Sequence, residues 1–144
     1  MNLNEVKFPA LRICDRGIIK LQSRRQLNVV PHRTLLAAQN GDSGEILDSK
    51  CAVFTIRRVV GIRRSFNPVL LLDRYPSFVV NYEFARVSRI PFHKAKEHVA
   101  RLIVDKGWYR QGGETVNQFE RWIDQIQTID ELLDGISGYG ECWY

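Results

Sequence analysis

Two neighbouring runs decide the fold: Phe78-Val79-Val80-Asn81-Tyr82-Glu83-Phe84-Ala85, and then Pro91-Phe92-His93-Lys94-Ala95-Lys96-Glu97-His98-Val99-Ala100-Arg101-Leu102-Ile103. In the first, Phe78, Val80, Tyr82 and Phe84 alternate with Val79, Asn81, Glu83 and Ala85. A period of two puts one aromatic face inward and a mixed face outward, which predicts a strand. In the second, Phe92, Ala95, Val99, Leu102 and Ile103 recur at the spacing of an amphipathic helix. Pro91 suits its first turn, and Gly107 suits the left-handed position just past its end. The chain therefore changes from strand to helix near residue 90.

Working towards the C-terminus, helices are predicted near 91–106 and 116–127. Trp108 can fold back on the last turn of the first, and Gly112-Gly113 reads as a loop. Thr115-Val116-Asn117-Gln118 has the form of a capping box, in which Thr115 and Gln118 satisfy each other's orphan amides. The following stripe is Val116, Phe119, Ile123 and Ile126, with Trp122 alongside. Thr128-Ile129-Asp130-Glu131 starts a third, very short helix through Leu132 and Leu133, stopped by Gly135.

Working back from residue 78, the chain reads mostly as strands. Asp15-Arg16-Gly17 is a turn between Leu11, Ile13 and Ile18, Ile19, Leu21, giving a first hairpin. Leu27, Val29 and Val30 run into Pro31, where a strand must end or lie on an edge. Thr34–Ala38 fits a strand or a short helix, residues 40–44 form a turn, and Ala52–Ile56 resumes a strand. The apolar run Pro68–Leu72 is expected to pair with Phe78–Ala85 as a hairpin. The expected fold is thus α+β: one domain over residues 1–144, a mostly antiparallel sheet from the N-terminal part, and C-terminal helices covering one face.

TIRRVVGIRRSF, Thr55 to Phe66, sets two Arg pairs around an apolar centre. As a regular strand it places Ile56, Arg58, Val60, Ile62, Arg64 and Phe66 on one face, and neither face is cleanly apolar. That suggests an edge strand or a bulge at Gly61, with the charges guarding the edge. The functional alternative makes Arg57, Arg58, Arg63 and Arg64, with Arg24 and Arg25, a phosphate clamp. Only Phe66 is close to these arginines, and the aromatic pattern of RNA-recognition sheets is missing.

The net charge of +5 hides a polarity. Residues 1–72 carry 12 Lys or Arg against 5 Asp or Glu, whereas residues 73–144 carry 9 against 11. From Gln111 onward Arg121 is the lone basic residue, against Glu114, Glu120, Asp124, Asp130, Glu131, Asp134 and Glu141. Some of these acids suit helix first turns. Their clustering also supplies a surface for a basic partner, with Trp143 and Tyr144 either anchoring that interface or packing back onto the sheet.

Catalytic and metal motifs do not emerge. His93 and His98 lie five apart, so the spacing of zinc-protease histidines is absent, and His32 sits alone beside a proline. Cys14, Cys51 and Cys142 form no CxxC pair and read as buried free thiols in a reduced, cytoplasmic setting. No secretory signal, membrane span, phosphate loop or cofactor motif is recognisable. A non-catalytic protein is expected, bearing no metal and no cofactor.

The run from Pro91 to Ser137, an amphipathic helix, a GWY-x-x-GGE turn and an acidic helical end, resembles the C-terminal part of bacterial immunity proteins from contact-dependent growth inhibition and related polymorphic-toxin systems. It covers roughly a third of the chain. The resemblance implies a small cytoplasmic α+β protein that binds a cognate toxin domain, such as a nuclease, and occludes its active site or substrate surface. Such inhibitors of basic nucleases are acidic overall; with a net charge of +5, this chain would need a localised acidic patch. Glu114, Glu120, Asp124, Asp130, Glu131 and Asp134 are the expected toxin contacts, with Trp143 and Tyr144. The alternative is a basic nucleic-acid-binding module using Arg57, Arg58, Arg63 and Arg64.

Overall fold

The computed structural model describes residues 6–31, 35–36, 44–64 and 77–140. Its strands are β1 (Ala10–Cys14), β2 (Gly17–Leu21), β3 (Val29–Pro31), β4 (Glu45–Asp48), β5 (Ala52–Arg64) and β6 (Ser77–Arg89). They form one antiparallel sheet in the order β2-β1-β4-β5-β6-β3. Its helices are α1 (Arg24–Asn28), α2 (Phe92–Lys106), α3 (Val116–Asp124) and α4 (Ile129–Ile136), with a 3-10 turn at Trp108–Gly112. This is the α+β architecture that the change of period indicates.

Each face of the sheet carries a buried core. Leu11 and Ile13 of β1, Ile18 of β2 and Leu47 of β4 pack against Val99 and Ile103 of α2, Phe119 of α3, and Leu132 and Leu133 of α4. This is the helix-covered face. The opposite face has no layer of long helices over it and closes on itself. Ile46, Phe54, Ile56, Val80 and Tyr82 meet Leu27 of α1, Leu35 and Val6 there. Tyr82 anchors this second core by donating its hydroxyl hydrogen to the Leu27 carbonyl at 2.9 Å, and the buried Arg12 guanidinium lies 5.0 Å from its ring centroid. Strands covered on both sides need apolar residues at successive positions, which explains Ile18-Ile19 and Ile46-Leu47.

Local chemistry fixes the ends of the elements. The Thr115–Gln118 capping box forms as expected, Gly107 closes α2 with φ of 71°, and Pro91 is the cap of α2 rather than part of its first turn. Asp48 is buried at the β4–β5 turn, where its carboxylate accepts from the amides of Lys7, Lys50 and Ala52 at 3.1, 2.8 and 2.9 Å. Residues 137–140 lie along β2: Gly138 donates to the Ile18 carbonyl at 2.9 Å and Ile18 donates to the Tyr139 carbonyl at 2.8 Å. That edge is thereby covered.

Some expectations change and others hold. Leu27 belongs to α1, not to a strand, because Ser23 accepts from the Gln26 amide while the Gln26 side chain accepts from the Gln22 amide at 2.5 Å. β3 is an edge strand ending at Pro31, as the proline requires. Leu35 and Leu36 are helical. α4 runs through Gly135 instead of stopping there; a Cβ at Gly135 would sit 2.7 Å from the Trp122 ring, so the glycine admits close packing of that ring. Pro68–Leu72 lies outside the described residues, and β6 pairs with β5 and β3.

Candidate functional site

The sheet and helices leave two charged regions exposed, and a groove between α2 and the sheet. The first region is the outer half of β5. β4 pairs with β5 only as far as Thr55, and beyond it β6 is the one pairing partner among the described residues. The regular alternation expected for Thr55–Phe66 is broken. Thr55 faces Arg86 and Ile56 faces Phe84, so Ala85 is extra in β6; Arg58 then faces Glu83, so Arg57 is extra in β5; a third irregularity falls between Val60 and Arg63, where Gly61 has φ of 59°. The bulge expected at Gly61 is present, and the one at Arg57 has a chemical consequence. Arg57 and Arg58, expected on opposite faces, both reach Glu83, at 3.4 and 2.6 Å. Arg63 and Arg64 are exposed opposite Val79 and Phe78, and Arg24 and Arg25 are exposed on α1.

The second region is acidic. Glu120 and Asp124 are exposed one turn apart on α3, and Asp130 is exposed in the first turn of α4. None of the three has an ion-pair partner among the described residues. The remaining acids are more committed. Glu131 accepts from the Gln127 amide at 3.3 Å and Asp134 pairs with Lys20. Glu114 is half-buried, and its charge adds to burial in raising the pKa of Tyr139. Trp143, Tyr144, Cys142 and His32 lie outside the described residues. Cys14 and Cys51 are half-buried rather than buried, and the Cys14 thiol donates to the Gly17 carbonyl at 3.4 Å. Burial, and then the charge of Asp48, pushes the Cys51 thiol up.

Sequence reading missed the groove. Glu45, Thr55 and Arg86 form one row across β4, β5 and β6, because Glu45 pairs with Thr55 and Thr55 with Arg86. The polar side of α2 stands over this row and brings Lys94, Glu97, His98 and Arg101 to it. The groove is open to solvent and has a volume of about 410 Å3, with Val53 and Ile90 as its apolar lining. His98 is hydrogen-bonded through Nε2 to the Glu45 carboxylate, and Lys94 lies 3.5 Å from Glu97. Among the described residues no group of three or more His, Cys, Asp and Glu could hold a metal, and no helix is long and apolar enough to cross a membrane. Compared with family models, curated proteins and solved structures, the chain matches none.

The Glu45–His98 pair makes stability depend on pH. The hydrogen bond to Glu45 raises the His98 pKa above its ordinary 6.5, opposed by partial burial and by the nearby Arg101. A folded-state pKa above the unfolded value means the fold favours the charged imidazole. The resulting stability is present in full below the unfolded pKa and is lost as pH rises through the folded one. We expect the difference in melting temperature between the parent and a His98→Gln variant to shrink between about pH 6 and pH 8. Thermal melts across that range check it, and a pH-independent difference contradicts it.

Proposed function

We propose that this protein is an immunity-type inhibitor, a non-catalytic cytoplasmic partner that binds a basic toxin domain through the exposed face of α3 and α4 and blocks its active site or substrate surface. The observation that carries the reading is the set Glu120, Asp124 and Asp130, exposed and without ion-pair partners among the described residues. Uncompensated like charges repel one another, and an oppositely charged partner relieves that repulsion while steering its own approach. The helices presenting them are held from below by fully buried Phe119, Leu132 and Leu133. A face held this firmly loses little conformational freedom on binding. The resemblance of the run from Pro91 to Ser137 to immunity proteins covers the same elements.

The competing reading, a nucleic-acid module, is weakened by Glu83, which engages Arg57 and Arg58 together. Titration of the purified protein against RNA and DNA separates the two. The inhibitor reading expects no appreciable binding at physiological salt. Micromolar or tighter binding, steeply salt-dependent and abolished when Arg57, Arg58, Arg63 and Arg64 are changed to Ala, would instead establish the basic module.

A further inference from the structure

The groove between α2 and the sheet carries an inference independent of the toxin-binding face, which lies on α3 and α4. Its charges are not balanced. Lys94 is paired with Glu97, and Glu45 with His98. Arg86 and Arg101 have no carboxylate partner among the described residues. Arg86 spends only its Nε–H internally, on the Ser88 hydroxyl oxygen at 3.0 Å. Its terminal nitrogens remain available, and so does the Ser88 hydroxyl hydrogen. Two guanidinium groups with spare donors are suited to one tetrahedral oxyanion.

We infer that this groove binds a small hydroxylated phosphate monoester, the phosphate held by Arg86, Arg101 and His98 and the hydroxyls by Glu97, Thr55 and Ser88. A volume of about 410 Å3 is enough for a small molecule. No Phe, Tyr or Trp ring lines the groove among the described residues, so a nucleobase would have only the His98 imidazole and the arginine planes to stack on. The hydroxyls and carboxylate around the row instead suit a body rich in hydroxyl groups.

The charged groups facing His98 set the pH dependence. They are Glu45 from β4, Arg86 from β6, Lys94, Glu97 and Arg101 from α2, and Asp15 from the β1–β2 turn, which lines an adjoining cavity with His98. Glu45 favours the imidazolium, and Arg101 disfavours it. A bound phosphate would further favour the imidazolium. A phosphate monoester becomes dianionic above about pH 6. Affinity should therefore peak between that pH and the raised pKa of His98, and fall on both sides.

Calorimetric titration with ribose 5-phosphate, ribose and inorganic phosphate tests the assignment. The expected result is saturable binding of ribose 5-phosphate, tighter than that of inorganic phosphate, with no binding of ribose. Arg86→Ala and Arg101→Ala should each weaken it at least about tenfold, in line with loss of a charge-assisted hydrogen bond. Arg86 and Arg101 are exposed, so the variants should keep the parent melting temperature, and Lys50→Ala in the exposed β4–β5 turn should bind as the parent does. Absence of saturable binding, or binding untouched by Arg101→Ala, would overturn the site. Equal affinity for inorganic phosphate and ribose 5-phosphate would overturn the hydroxylated ligand class.

Discussion

Replacing Glu120, Asp124 and Asp130 together by Lys is expected to slow association with a basic toxin domain by on the order of 100-fold, within the range that electrostatic steering commands. The substitution moves the local charge by six units in the repulsive direction, on side chains that are exposed and have no ion pairs to lose among the described residues. Glu131 is left in place because its carboxylate accepts from the Gln127 amide, and Asp134 because it already pairs with Lys20. Stability should change by no more than about 1 kcal/mol, chiefly through the lost helix-dipole contribution of Asp130. Stopped-flow association at low and high salt makes the comparison. In about 1 M salt the Debye length is about 3 Å and the two proteins should associate at similar rates. Unchanged kinetics at low salt would place the partner on another surface.

Gly44→Ala is expected to cost about 3 kcal/mol or more, lowering the melting temperature by roughly 10 °C. Gly44 has φ of +68°, and a Cβ built there meets the Ile13 carbonyl oxygen at 2.0 Å. The left-handed backbone alone costs an L-residue about 1–2 kcal/mol, and relieving a backbone clash adds about 1–3. The clash pushes apart the end of β1 and the start of β4. It also disturbs the hydrogen bond from the Ile56 amide to the Gly44 carbonyl, at 3.0 Å. Gly113 is the internal control: its φ is +72°, but a Cβ there meets nothing within 4 Å. Gly113→Ala should lose only the conformational cost. Equal losses in the two variants would show that backbone conformation, not close approach, governs residue 44.

The fold was legible where one element met one environment. Phe78–Phe84 and Phe92–Ile103 each present a single buried side, so their periods survive in the sequence. The Thr115–Gln118 box and Gly107 mark helix ends by local chemistry that needs no tertiary contact. Legibility failed where the environment is two-sided or the register irregular. Ile18-Ile19 reads as one apolar run although Ile18 meets the helices and Ile19 the other core. Ala85 in β6 and Arg57 in β5 are both extra residues that interrupt the alternation, and no feature of TIRRVVGIRRSF announces that Arg57 and Arg58 share Glu83. Ser23 and Gln26 did carry a helix signal, but α1 is too short for a hydrophobic period to reinforce it.

The acidic residues were found by composition alone, because charge segregation along the chain becomes charge segregation on consecutive helices. The groove could not be found that way. Glu45, Thr55, Arg86 and His98 are far apart in sequence, and only strand register and the placement of α2 bring them together. His98 pairs not with His93, five positions away, but with the Glu45 carboxylate on β4.

The most direct test of the central claim is to identify a toxin domain encoded by a neighbouring gene and to grow bacteria expressing it with and without this chain. The account predicts that the intact protein restores growth and that the Glu120, Asp124 and Asp130 triple reversal does not. The Arg57, Arg58, Arg63 and Arg64 to Ala variant should still protect. A neighbouring gene that encodes no toxin domain, or an intact protein that fails to restore growth, would contradict it.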